Sequence, residues 1–190
     1  MGLMASDMTQ TRSVPATIRL KAEDDEDLCI ISAMVQDAIL PVRDIGYDSE
    51  ELRFAMVINR FMWERCDPEQ LDGPVDPDSE QPNSFFRTLS AIRFEQVSRV
   101  EQHGIDQTKE CHMLGLLAIE QLDEHTVLIH FAGDASIRLT MVEVDCHFED
   151  LGEAWPTLCR PAHDLEGNLS VDCEQEAAEV AKHGEPLRAD

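Results

Sequence analysis

The spacing of apolar residues changes at Pro41, and that change decides what the chain can fold into. Before it, in "EDDEDLCIISAMVQDAIL", Leu28, Ile31, Val35, Ala38 and Ile39 recur at helical spacing behind a run of carboxylates, which the positive end of a helix dipole favours. The pattern predicts a helix over 25–38, stopped by Pro41. Beyond the proline the period is two. "PVRDIGYD" and "ELRFAMVINRFMWE" read as strands of a hairpin turned by "DSEE", with Leu52, Phe54, Met56 and Ile58 facing one way and Arg53, Ala55, Val57 and Asn59 the other. "RTLSAIRFEQVSRVEQHGI" reads as a long strand whose alternation slips between Phe94 and Val97, as a bulge would cause. "HMLGLLAIEQL", "TVLIHFAG" and "SIRLTMV" then form an antiparallel meander. In "VDCHFEDLGEAW", Val144, Phe148, Leu151 and Trp155 again fall on one helical stripe, closed by Pro156.

A short strand in "TIRLKA", a helix, about six antiparallel strands and a closing helix give an α+β fold. The expected architecture is a strongly bent, mainly antiparallel sheet, a half-barrel of the pleckstrin-homology type with one N-terminal and one C-terminal helix. Residues 17–156 make the domain. Residues 1–16 are expected to be a disordered leader, residues 67–84 an acidic, proline-rich loop, and residues 157–190 an acidic, mostly disordered tail.

Charge narrows the partners. With 15 basic and 39 acidic residues the chain carries −24, spread along its whole length. Such a field repels phosphate backbones and anionic lipid, so neither nucleic acid nor a membrane surface is an expected partner. The beginning of the chain has no apolar run resembling a signal peptide, and six cysteines without a C-x-x-C pair suit free thiols in a reducing cytosol. There is no Gly-rich phosphate loop, and no cofactor is expected.

The stretches "DLCIISAMVQDAI", "LRFAMVINRFMWE", "LIHFAGDASIRL" and "FEDLGEAW" together resemble an uncharacterised bacterial family, the domain of unknown function 2948 (DUF2948). The resemblance covers roughly residues 18 to 156. Its distinctive pieces are the "SAMVQDA" helix and the "NRFMWE" strand end. It implies a cytosolic domain and brings no mechanism or site residues with it.

Three constellations carry possible chemistry. In "NRFMWE", Arg60, Trp63 and Glu64 combine a guanidinium, an aromatic ring and a carboxylate, a set that recognises a ligand carboxylate or a peptide by bidentate hydrogen bonds and stacking. Arg53, Arg93 and Arg99 lie on strands that could neighbour them. The plainer reading of the same residues is an Arg60–Glu64 or Arg60–Asp pair covering a tryptophan at the rim of the core. On the expected closing helix, Glu143, His147 and Asp150 fall at i, i+4 and i+7 and form the candidate metal set. Cys146 and His147, about 100° apart on such a helix, do not share an ion. His130, opposite the Val127, Ile129 and Phe131 face, reads as a strand histidine partnered by solvent or by a neighbouring strand rather than a catalytic base.

Three functions follow from these readings. The first is a non-catalytic module binding a protein partner, or a second copy of itself, through a sheet face or edge. The second is a domain binding a small anionic ligand through Arg60 and Trp63. The third is a metal-dependent enzyme using His147.

Overall fold

The computed structural model describes residues 17–66, 85–109, 111–157 and 161. The expected leader, the acidic loop and nearly all of the expected tail lie outside these residues. The chain runs through β1 (Arg19–Ala22), α1 (Asp25–Val35), β2 (Ile39–Pro41), a 3-10 turn (Val42–Asp44), β3 (Ile45–Asp48) and β4 (Arg53–Phe61). A second 3-10 turn (Trp63–Arg65) ends the first part, and β5 (Phe85–Phe94), β6 (Val97–His103), β7 (Met113–Asp123), β8 (Thr126–Phe131), β9 (Ala135–Met141), β10 (Cys146–Asp150) and β11 (Trp155–Thr157) follow.

Asp24 starts α1 by accepting the Asp27 N–H at 2.9 Å, with Asp25, Glu26 and Asp27 in the first turn. The helix stops at Val35, short of the expected residue 38, because Gln36 turns extended and Asp37 takes a φ of 60°. An aspartate tolerates that left-handed conformation better than most residues. Ala38 and Ile39, which kept the helical spacing, are buried instead through the short strand that follows.

The strands lie in the order β1-β10-β5-β4-β2-β7-β8-β9-β6, with β11 beside β5 and β3 beside β4, and every pairing is antiparallel. The sheet folds over on itself. One hydrophobic cluster draws Phe54 and Met56 from β4, Ile92 and Phe94 from β5, and Ile129 and Leu139 from the meander. Leu28, Ile31 and Val35 close the same cluster from α1, which packs chiefly on β7 and β1. The Ser32 hydroxyl fixes that contact by accepting the Ile119 N–H at 2.8 Å.

The barrel stays open. Among the described residues β3 pairs only with β4 and β6 only with β9, so their outer edges face each other across a gap. The gap is pinned at one end, where the Tyr47 hydroxyl donates to Val97 O at 2.9 Å and Val97 N–H donates to Leu52 O at 2.7 Å.

The expected C-terminal helix is absent: α1 is the single α-helix among the described residues, and the stretch from Cys146 to Asp150 is a strand. Two periods competed there. Val144, Phe148, Leu151 and Trp155 fit a helix, whereas Cys146, Phe148 and Asp150 alternate with His147 and Glu149. The free edge of β5 decides between them, pairing Cys146 with Phe94 and Asp150 with Ser90. Leu151, one of the four residues of the helical stripe, is exposed, and Trp155 belongs to β11. Without a closing helix the pleckstrin-homology comparison loses its defining cap. The slip between Phe94 and Val97 is likewise a break rather than a bulge. Gln96 turns the chain at a φ of 57°, and β6 leaves β5 to pair with β9.

Candidate functional site

β4 alternates apolar inward residues up to Ile58, and the next inward position is Arg60. Its side chain is fully buried, so the guanidinium must find its partners inside the protein. Asp150 meets it side-on: Nε donates to Oδ1 at 2.8 Å and Nη2 to Oδ2 at 2.9 Å. Glu64 meets it end-on, with Nη1 donating to Oε2 at 3.0 Å and Nη2 to Oε1 at 2.8 Å. Four of the five N–H donors are thus committed to two carboxylates, and the guanidinium carbon sits 5.5 Å from the Phe148 ring centroid.

Asp150 is the hub of this cluster. Oδ1 also accepts the Ser90 hydroxyl at 2.7 Å, and Oδ2 accepts the Ile18 N–H at 3.2 Å. Burial alone would push this carboxyl up, but the hydrogen bonds from Arg60 and Ser90 hold it below the usual carboxylate range. Burial likewise disfavours the Arg60 charge, yet its hydrogen bonds to Asp150 and Glu64 more than offset that and raise its pKa. Arg60 and Asp150 therefore stay ionised at neutral pH.

Trp63 does not stack on Arg60. Its ring lies edge-on to Phe61 at 4.6 Å, and its Nε1–H donates to Gln36 O at 3.1 Å, tying the turn after β4 to the end of α1. The "SAMVQDA" and "NRFMWE" stretches therefore meet in space. A second buried arginine, Arg87 on β5, lies on the opposite face over the Phe61 ring at 5.7 Å and donates to Asn59 O at 3.2 Å.

The other candidates separate. On a strand His147 and Asp150 point to opposite faces, and Glu143 precedes the strand, so the metal set loses the helical geometry that brought it together. His147 Nε2 lies 3.1 Å from Asp145 Oδ1, while Asp150 belongs to Arg60. Among the described residues no group of three His, Cys, Asp or Glu side chains is placed to hold a metal ion. His130 lies 3.1 Å from Glu120 Oε2 on the neighbouring strand. Burial raises the Cys146 thiol far above its ordinary value, with Asp145 adding to the effect, so its nucleophilic thiolate is suppressed. Arg53 and Arg93 do converge, on Glu95, at 3.1 and 2.7 Å. Arg99 pairs instead with Glu101 at 2.9 Å. Asp150 is the participant the sequence hid: it stands in a run of acidic residues, and only its parity with Cys146 and Phe148 marks it as inward.

A family model described as "Protein of unknown function (DUF2948)" matches residues 18–163. The chain belongs to the DUF2948 family. The match takes in β1 through β11, so every element that builds the Arg60 cluster lies within the DUF2948 domain. No curated protein and no solved structure matches the chain. No helix among the described residues of this DUF2948 protein is long and apolar enough to cross a membrane.

Proposed function

We propose that this protein is a non-catalytic, cytosolic interaction module that docks a protein partner on the outer face of β5 and its neighbours. The observation that carries this reading is an uncovered apolar strip on the side of the sheet away from α1. Leu89 and Leu151 are 39% and 52% exposed there and lie side by side, joined by the Leu151 N–H to Leu89 O hydrogen bond at 2.8 Å. Val57 and Ala91, paired across β4 and β5, continue the strip. Its rim holds ion pairs, Arg93 with Glu95 and Arg19 with Glu149. An apolar centre with a polar, charge-paired rim is the anatomy of a protein interface. The −24 field of the whole chain steers basic partners toward it.

The anionic-ligand alternative through Arg60 and Trp63 has less support, because Asp150 and Glu64 already occupy the guanidinium and Trp63 is turned to Gln36. The metal-enzyme alternative rested on a helix that is a strand.

The test is affinity capture from cell lysate at moderate salt, against a mixed-charge acidic control bait, with the wild type and with Leu89→Asp/Leu151→Asp. A stoichiometric partner that the double variant loses, at unchanged melting temperature, supports the reading. A partner kept by the double variant places the interface elsewhere and overturns it. Sedimentation of the wild type shows whether the partner is a second copy.

A further inference from the structure

Among the described residues four non-glycine residues take a positive φ: Asp37, Leu52, Gln96 and Asp134. The two aspartates are of a type that tolerates the left-handed region. Leu52, at 52°, and Gln96, at 57°, are not, and these two stand at the two ends of one hydrogen bond. The Val97 N–H, on the peptide that follows Gln96, donates to the carbonyl of Leu52 at 2.7 Å. The left-handed turn at each residue aims its half of the bond, so relaxation of either one to an ordinary conformation carries donor and acceptor apart. Glycine or asparagine would hold the same geometry with less strain.

This bond lies at the pinned end of the gap between β3 and β6. Beside it the Tyr47 hydroxyl donates to Val97 O at 2.9 Å, so both polar groups of the Val97 backbone are held from across the gap. The residues that hold them bury little, since Tyr47 and Leu52 are 38% and 43% exposed. Val97 is also set off from the rest of its own strand by a register shift, pairing with Met141 while Arg99 already pairs with Thr140. Past that shift β6 keeps its pairs with β9 through His103, and β3 keeps β4 from Ile45 to Asp48. Loss of the two bonds at Val97 therefore parts the edges without disturbing either ladder, and the strain of two left-handed residues works toward parting them.

From this arrangement we infer that the tip of the β3–β4 hairpin is a strained latch. The barrel opens along the β3–β6 gap by release of Val97 from Leu52 and Tyr47, while the rest of the sheet stays folded. Opening widens the slot between two strand edges that are unpaired among the described residues. Leu89 lies beside Asn59, at the other end of β4, so the latch and the docking face stand independently.

Hydrogen exchange of the full-length chain under native conditions, followed amide by amide by nuclear magnetic resonance, reads the latch. The Val97 amide is compared with that of Ile129 on β8, a strand paired on both sides, so that the ratio of the two rates cancels changes in global stability. In the wild type Val97 is expected to exchange about ten-fold faster than Ile129 or more, at a rate that low denaturant does not change. Tyr47→Phe, which removes one of the two bonds, is expected to raise the ratio about five-fold. Leu52→Gly and Gln96→Gly are each expected to lower it about five-fold, because glycine takes a positive φ without the steric cost. A wild-type Val97 amide as slow as that of Ile129, an unchanged ratio in Tyr47→Phe, or a ratio unchanged or raised in either glycine variant overturns the inference.

Discussion

The meander β7–β9 with β6 and the arm β4-β5-β10-β1 form one sheet, yet register is set in them by different means. In the meander, strands adjacent in sequence are adjacent in space for β7, β8 and β9, and short turns such as that between Asp123 and Thr126 fix the pairing. Its interior is aliphatic and aromatic alone, with Val127, Ile129, Ile137 and Leu139 nearly fully buried. In the arm, β10 must find β5 and β1 must find β10 across long stretches of chain, and no turn dictates how far each slides. A one-residue slip in such a pairing exchanges every inward side chain for an outward one. Here the slip would put Glu149 or Leu151 in place of Asp150 and break the side-on pairing of its carboxylate with the Arg60 Nε and Nη2. The buried charges therefore act as a register key where local sequence supplies none, at the cost of desolvating them.

The sharpest way to break this contrast is Arg60→Ala, which leaves Asp150 buried without its cation. Urea unfolding is expected to show a loss of about 3–5 kcal/mol. Asp150→Asn keeps the shape and removes the charge, with an expected loss of about 3 kcal/mol at pH 7. That deficit has a pH signature. The Asp150 carboxyl lies below its ordinary value in the folded protein, so its contribution is complete above the unfolded carboxylate pKa of about 3.9 and disappears as pH falls through the lower folded value. The gap between wild type and Asp150→Asn should accordingly close on acidification below about pH 4. Ile129→Val, in the meander, is expected to cost about 0.5–1.5 kcal/mol at every pH, since only packing is lost. If its deficit also narrows in acid, the two regions are not distinguished by charge. The smallest effect is expected of Arg93→Gln, whose exposed side chain pairs with the half-buried Glu95, below about 1 kcal/mol and smaller still in high salt.

Legibility in the sequence follows the same division. The first helix, the β4 alternation and the three meander strands could be read directly, because their periods are clean and their partners close. Arg60 and Glu64 could be seen as a pair from their spacing at the end of β4. What could not be read depends on distant partners. The stretch from Cys146 to Asp150 takes its conformation from β5, more than fifty residues earlier, and by itself offers a helical stripe of equal quality. Gln96 carries no glycine or proline to announce the turn it makes. Trp63 looked like a ligand-stacking ring and is held by a backbone oxygen on the helix.

The hydrogen bonds between Ile18 and Asp150 bear on how the chain is made. The Asp150 N–H donates to Ile18 O at 2.9 Å while its side chain accepts the Ile18 N–H, so β1 is held by a strand that leaves the ribosome more than a hundred residues later. During synthesis β4 and β5 can form a hairpin and β7–β9 can assemble as they emerge, but β1 has no edge to join until β10 is out. Closing that long loop is the slow, entropically costly step of a fold with non-local strands. A ribosome stalled before residue 146 would hold a nascent chain with its meander formed and Arg60 paired with Glu64 alone, still waiting for Asp150.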